Sequence, residues 1–178
     1  MSKSIFAEYS RWLNQGNLGE ILNRELESMK DDKDAIYEAF YRDLDFGTSG
    51  LRGIMGAGTN RMNSLVVCRV SQGVANYLYK EDLPKKVVVC YDSRHNSRTF
   101  AEKTAAVFAA NGIKVYIYKN IMPVSACSYG VRHYDAGCGI MITASHNPKE
   151  YNGYKVYGRD GCQITEEATK KIFSESSH

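Results

Sequence analysis

Three short apolar runs, "KKVVVCYD" (85–92), "IKVYIYK" (113–119) and "AGCGIMIT" (136–143), are separated by segments of helical length. Runs this short and this rich in β-branched residues suit buried strands, and parallel strands need a crossover between them. The intervening segments carry a helical period. "SLVVCRVSQGVANYLYK" places Val66, Val70, Val74 and Leu78 on one face. "SRTFAEKTAAVFAANG" places Phe100, Thr104, Ala105 and Phe108 on one face, with a cap expected at Ser97 or Thr99 and a stop at Gly112. "PVSACSYGVRHY" opens near Pro123. Strands alternating with such helices predict an α/β fold, a three-layer α/β/α arrangement around a mostly parallel, mixed sheet. "YKVYG" and "CQI" around "RDG" read as a hairpin, and Thr165 is placed to cap a last helix.

Residues 1–45 read as an N-terminal helical extension. Leu18, Ile21, Leu22, Leu26 and Met29 recur at helical spacing, as do Ile36, Phe40 and Leu44, and "KDDKD" marks a break between helices. The pattern changes at Phe46. "FGTSGLRGIMGAGTNRMN" holds five glycines in eighteen residues, which excludes a packed helix and predicts irregular strand and loop. Residues 46–178 are therefore expected to form one domain.

Charge and cysteine usage narrow the function. Lys+Arg exceed Asp+Glu by 23 to 20, a net charge of +3, too mild to indicate nucleic acid. The five cysteines (Cys68, Cys90, Cys127, Cys138, Cys162) form no C-x-x-C pair and read as reduced thiols, most of them within apolar runs. The first residues lack a signal-peptide core, and "AAVFAA" is too short to span a membrane. The expected setting is cytoplasmic, with no membrane partner.

The chemistry concentrates in "TASHNPKEYNGYK" (143–155), which follows the strand "GIMIT". In open α/β sheets, ligands bind beyond the carboxyl ends of the strands. "CYDSRHNSR" leaves the strand "KKVVVC" in the same way, so the two polar loops are expected at one sheet edge. Ser145 lacks the G-x-S-x-G frame of a hydrolase elbow, which speaks against acyl transfer. A phosphoryl-carrying serine needs cations and backbone donors, and Arg52, Arg94, Lys149 and Lys155 lie in or beside these loops. His146 and Lys155 are of the types that move protons to and from a hydroxyl, the lysine only with a lowered pKa. The competing reading for each cation is a solvated surface charge.

"TASHNP", followed by "NGYK" and preceded by "FGTSGLRG", resembles the α-D-phosphohexomutase superfamily, and the longer glycine-rich segment is most similar to its phosphoglucomutase/phosphopentomutase branch. The resemblance covers about residues 40–173, with "YDSR" at the loop after the first central strand. It implies the N-terminal domain of a Mg²⁺-dependent phosphoglucomutase, interconverting glucose 1-phosphate and glucose 6-phosphate with glucose 1,6-bisphosphate as intermediate. It implies that Ser145 is the phosphoserine and, through a phosphoryl oxygen, one metal ligand. His146 and Lys155 are then the acid/base pair, Arg52 a catalytic and substrate-binding cation, and Thr48, Ser49, Thr143 and Asn147 further substrate-site residues.

One departure stands against these matches. The family's metal loop has three alternating aspartates, whereas the Asp-x-Asp pairs here, Asp32/Asp34 and Asp43/Asp45, do not extend to a third. The sugar-selecting loop and distal phosphate loop are also missing. The expectation is therefore domain 1 alone, inactive as a mutase by itself, whose partners are a phosphosugar and the family's other domains, with self-association through the surface they would cover. Phosphopentomutase and phosphomannomutase domains remain alternatives, as does a non-catalytic sugar-phosphate-binding or interaction module.

Overall fold

The computed structural model describes residues 4–16, 18–47 and 50–175. Three helices come first, α1 (Ile5–Asn14), α2 (Glu20–Ser28) and α3 (Lys33–Phe40). "KDDKD" breaks them as expected, with Asp32 capping α3 through a bond from Ala35 N at 2.9 Å. They form their own core of Tyr9, Trp12, Leu26, Ile36, Ala39 and Phe40, closed by Ala57 from the glycine-rich segment. Edge-to-face contacts set Phe40 against both Tyr9 and Trp12. Ile21, read as part of the apolar stripe, is instead 73 % exposed. Leu44 leaves the helical pattern altogether and packs in the main core.

The main layer contains β1 (Phe46–Gly47), β2 (Gly50–Ile54), α4 (Ser64–Lys80), β3 (Lys86–Tyr91), α5 (Ser97–Ala110), β4 (Lys114–Ile117), α6 (Val124–His133), β5 (Cys138–Ile142), β6 (Tyr151–Tyr157) and α7 (Glu166–Glu175). The sheet order is β1-β2-β6-β5-β3-β4. β4, β3 and β5 are parallel, as the alternation of strand and helix predicts. β6, β2 and β1 join antiparallel, which makes the sheet mixed. The second arm of the expected hairpin shrinks to one bridge, Tyr157 with Gln163.

One sheet face is covered by α4, α5 and α7. Val66, Val70, Val74, Leu78, Phe100, Phe108 and Ile172 pack there on Val87, Val89, Ile140, Ile142, Tyr154 and Val156. The other face carries Val88, Cys90 and Met141 under Cys127 and Val131 of α6. That helix lies over β3 and β5 and barely reaches β6. Alternation along β2 and β6 therefore sends Arg52 and Lys155 toward the face that α6 covers only in part.

Helix ends follow local chemistry. Thr165 caps α7 through a bond from Ala168 N at 3.3 Å. At α5 the expected caps, Ser97 and Thr99, do not serve. The N-cap is Asn96, left-handed at φ 60°, because Ser97 is fully buried and its hydroxyl donates to Asp92 Oδ1 at 2.7 Å. The cysteines form no disulfide. Cys90, Cys127 and Cys138 are buried, and Cys162 is exposed. Among the described residues no helix is long and apolar enough to cross a membrane.

Candidate active site

β5 is buried along its whole length, and the chain leaves it at Ile142 through the equally buried Thr143 and Ala144. Ser145 then emerges exposed, with φ 62°. A left-handed non-glycine residue costs about 1 kcal/mol or more and persists only where its surroundings hold it. Thr143 Oγ1 accepts from Ser145 N at 3.0 Å, and Ala144 O accepts from Asn147 N at 3.1 Å.

The neighbouring loop supplies the rest of the hold. Arg94 Nη2 donates to Ser145 O at 2.9 Å and Asn147 O at 2.6 Å. Its Nη1 donates to Pro148 O at 2.8 Å and Tyr151 O at 3.1 Å. Thus the two polar loops do share one edge of the sheet. Asn152 and Gly153 lie inside β6. Asn152 is fully buried, and its Nδ2 donates to His95 O at 2.9 Å and Ser97 Oγ at 3.0 Å. Asp92, Arg94, Ser97 and Asn152 form one network beneath the Ser145 loop. Sequence reading saw Arg94 only as a candidate cation and missed Asn152. The signal available was the run "YDSR" one strand away, whose geometry no periodicity reveals.

Two cations face the site with no acid partner among the described residues. Arg52, on β2, pairs in register with Gly153, and Lys155, on β6, pairs with Met141. Gly153 must be glycine here: a Cβ would lie 2.6 Å from Thr143 O and 3.1 Å from Arg52 Cγ. Gly50, at φ 90°, lets β2 pass Lys155, where a Cβ would meet Tyr154 O at 2.5 Å. Arg52 Nη1 makes a long 3.4 Å bond to Asn147 Oδ1, and its buried Nε has no partner among the described residues. Lys155 is 7 % exposed, and burial, then the charge of Arg52, pulls its pKa below the ordinary lysine value. A buried donor without an acceptor beside a destabilised ammonium is the polarity of an anion site.

The other candidates are placed less closely. His146 and Lys149 are exposed. Thr48 and Ser49 lie outside the described residues. Among the described residues no group of three or more His, Cys, Asp or Glu could hold a metal ion. Near Ser145 the one carboxylate in the network, Asp92, is engaged by Arg94 and Ser97, so these residues do not by themselves fit Mg²⁺.

The match to known proteins agrees with this geometry. The family described as "Phosphoglucomutase/phosphomannomutase, alpha/beta/alpha domain I" matches residues 43–178. A phosphoglucomutase of Staphylococcus haemolyticus is 44 % identical over 136 residues, 76 % of this chain and 25 % of that protein. Human phosphopentomutase is 38 % identical over 175 residues, 93 % of this chain and 28 % of that protein, so its likeness reaches into the helices before residue 43. Among solved structures, that of a candidate phosphomannomutase from Thermus thermophilus superposes with a TM-score of 0.69 at 32 % identity, covering 75 % of this chain and 30 % of that one. The chain thus spans about a quarter of the length of the curated relatives it matches. It belongs to the phosphoglucomutase/phosphomannomutase family, the α-D-phosphohexomutase superfamily, as its N-terminal α/β/α domain.

Proposed function

We propose that the chain is the phosphoryl-carrying domain of a sugar-phosphate mutase, with Ser145 as the carrier. The observation that carries this reading is an exposed, left-handed Ser145 at the end of a buried strand, beside two cations that lack an acid partner among the described residues. In the forward step the P–O bond to Ser145 breaks and a P–O bond to a sugar hydroxyl forms. The hydroxyl proton passes to a neutral base, and Ser145 Oγ takes up a proton as it leaves. Lys155 suits the proton transfer because its pKa is lowered. His146, next to the serine and exposed, is the second proton carrier. Arg52 holds the transferring phosphoryl, and Asn147 orients Arg52. Transfer back from the bisphosphate to Ser145 completes an isomerisation. Clustered positive charge is what phosphoryl transfer chiefly needs.

The preferred substrate pair is glucose 1-phosphate and glucose 6-phosphate, with glucose 1,6-bisphosphate as intermediate. The pentose alternative has one specific support, since the match to human phosphopentomutase extends into the N-terminal helices. Mg²⁺ belongs to this proposal only with ligands from outside the described residues, to which a phosphoryl oxygen on Ser145 would add one.

The test is titration of the chain with inorganic phosphate, followed by backbone amide NMR. Shifts should centre on residues 143–147, Arg52 and Lys155. Saturable binding elsewhere, with these amides unmoved, overturns the reading.

A further inference from the structure

Arg94 looks at first like a third cation for the phosphoryl group, but its donors are already committed. A guanidinium has five N–H groups. The four on Nη1 and Nη2 meet four carbonyls, those of Ser145, Asn147, Pro148 and Tyr151. The fifth, on Nε, faces Asp92 Oδ2 at 3.6 Å. The side chain is only 15 % exposed. Arg52 differs, with a buried Nε that has no partner among the described residues.

Ser145 is pinned from both sides. Its N–H is held by Thr143 Oγ1 and its C=O by Arg94. These two bonds bracket the residue whose φ is 62°. The left-handed conformation needs such over-determination to persist. Arg94 is itself fixed from below: Asp92 Oδ1 accepts from Arg94 N at 3.0 Å and from Ser97 Oγ at 2.7 Å, and Ser97 Oγ accepts from Asn152.

We propose that Arg94 is the positioning residue of the Ser145 loop, a guanidinium staple that presents the serine and does not itself ligate phosphate. This rests on the reading of Ser145 as phosphoryl carrier. Lysine cannot replace it, because one ammonium cannot reach four carbonyls spread from residue 145 to 151. Its positive charge, held behind the loop, also favours an anion on Ser145 without a direct bond.

The test compares the 178-residue chain with Arg94→Lys and Thr143→Val, which removes the opposite pin. Amide hydrogen exchange and inorganic phosphate affinity are read on all three. In Arg94→Lys the amides of 145–151 should exchange at least tenfold faster while those of β3 and β5 keep their protection. Phosphate affinity should fall at least fivefold although Arg52 and Lys155 are untouched. Thr143→Val should give the same loop-confined signature. Wild-type exchange in the loop of either variant overturns the staple. So does a fall in phosphate affinity in Arg94→Lys with loop exchange unchanged, since Arg94 would then be a direct ligand. If the unmodified chain fails to bind phosphate, the carrier reading falls, and the exchange measurements still decide the role of Arg94 in the loop.

Discussion

Lys155 and Arg52 place two positive charges on adjacent strands of one sheet face, with no ion pair to either among the described residues. Such a pair favours an anion beside it and otherwise repels itself. Because the folded state lowers the pKa of Lys155, the unfolded chain binds its proton more tightly. The resulting penalty is full wherever the lysine is charged in both states. It fades as pH rises through the folded pKa toward the ordinary lysine value. Lys155→Met should therefore raise the melting temperature near pH 7, by an effect on the order of 1 kcal/mol. That gain should shrink as pH rises toward the ordinary lysine value, and phosphate should no longer stabilise the variant. Loss of melting temperature at pH 7 would show that the ammonium has a stabilising partner. At this scale the residue types were legible in sequence, while their division of labour was not. From the residues alone Arg52 and Arg94 read alike as cations beside the loops, with Arg52 singled out only by the resemblance, and their partners tell them apart: four carbonyls hold Arg94, while the buried Nε of Arg52 has no partner among the described residues.

Elements were legible where period and punctuation agree. The strands around 87–91 and 138–142 and the helices 64–80 and 97–110 follow from apolar spacing and are found there. The pairing of β2 with β6 was not, because glycine-rich backbone carries no period and its ladder joins residues a hundred apart. One side chain stabilises this segment at its far end. Asn63 Oδ1 caps α4 by accepting from Val66 N at 3.0 Å, while its Nδ2 donates to Gly56 O and Gly58 O, both at 2.9 Å. Asn63→Ala should cost about 2–4 kcal/mol in denaturant unfolding, combining a lost cap with unpaired carbonyls. Asn63→Asp keeps the cap acceptor but sets a carboxylate against those carbonyls. It should destabilise at least as much as alanine, despite aspartate being a good cap in isolation. Near-native stability of Asn63→Asp would mean that the cap alone matters.

For the whole molecule, on the proposed function, the Ser145 site is one part of a larger active centre. The described residues hold the exposed Ser145 and two cations near it but no metal cluster, and the chain is about a quarter as long as its curated relatives. The purified chain, given glucose 1-phosphate, glucose 1,6-bisphosphate and Mg²⁺, should show no turnover above a protein-free control. A chelator should leave its melting temperature unchanged, because no cluster of metal ligands lies among the described residues. Turnover at the rate of full-length mutases, or a melting temperature lowered by chelation, would place the metal ligands within these residues.

Sequence alone determined the alternating strands and helices, the family likeness and the candidate side chains Arg52, Ser145, His146 and Lys155. These are local properties, set by side-chain period and by residue types at short spacing. Tertiary structure alone decided that Arg94 lies behind the Ser145 loop with its terminal N–H groups on four carbonyls, and that Arg52 and Lys155 meet across antiparallel strands. Those facts depend on contacts between residues fifty to a hundred positions apart, where register and burial govern which charge is neutralised and which is left for a ligand.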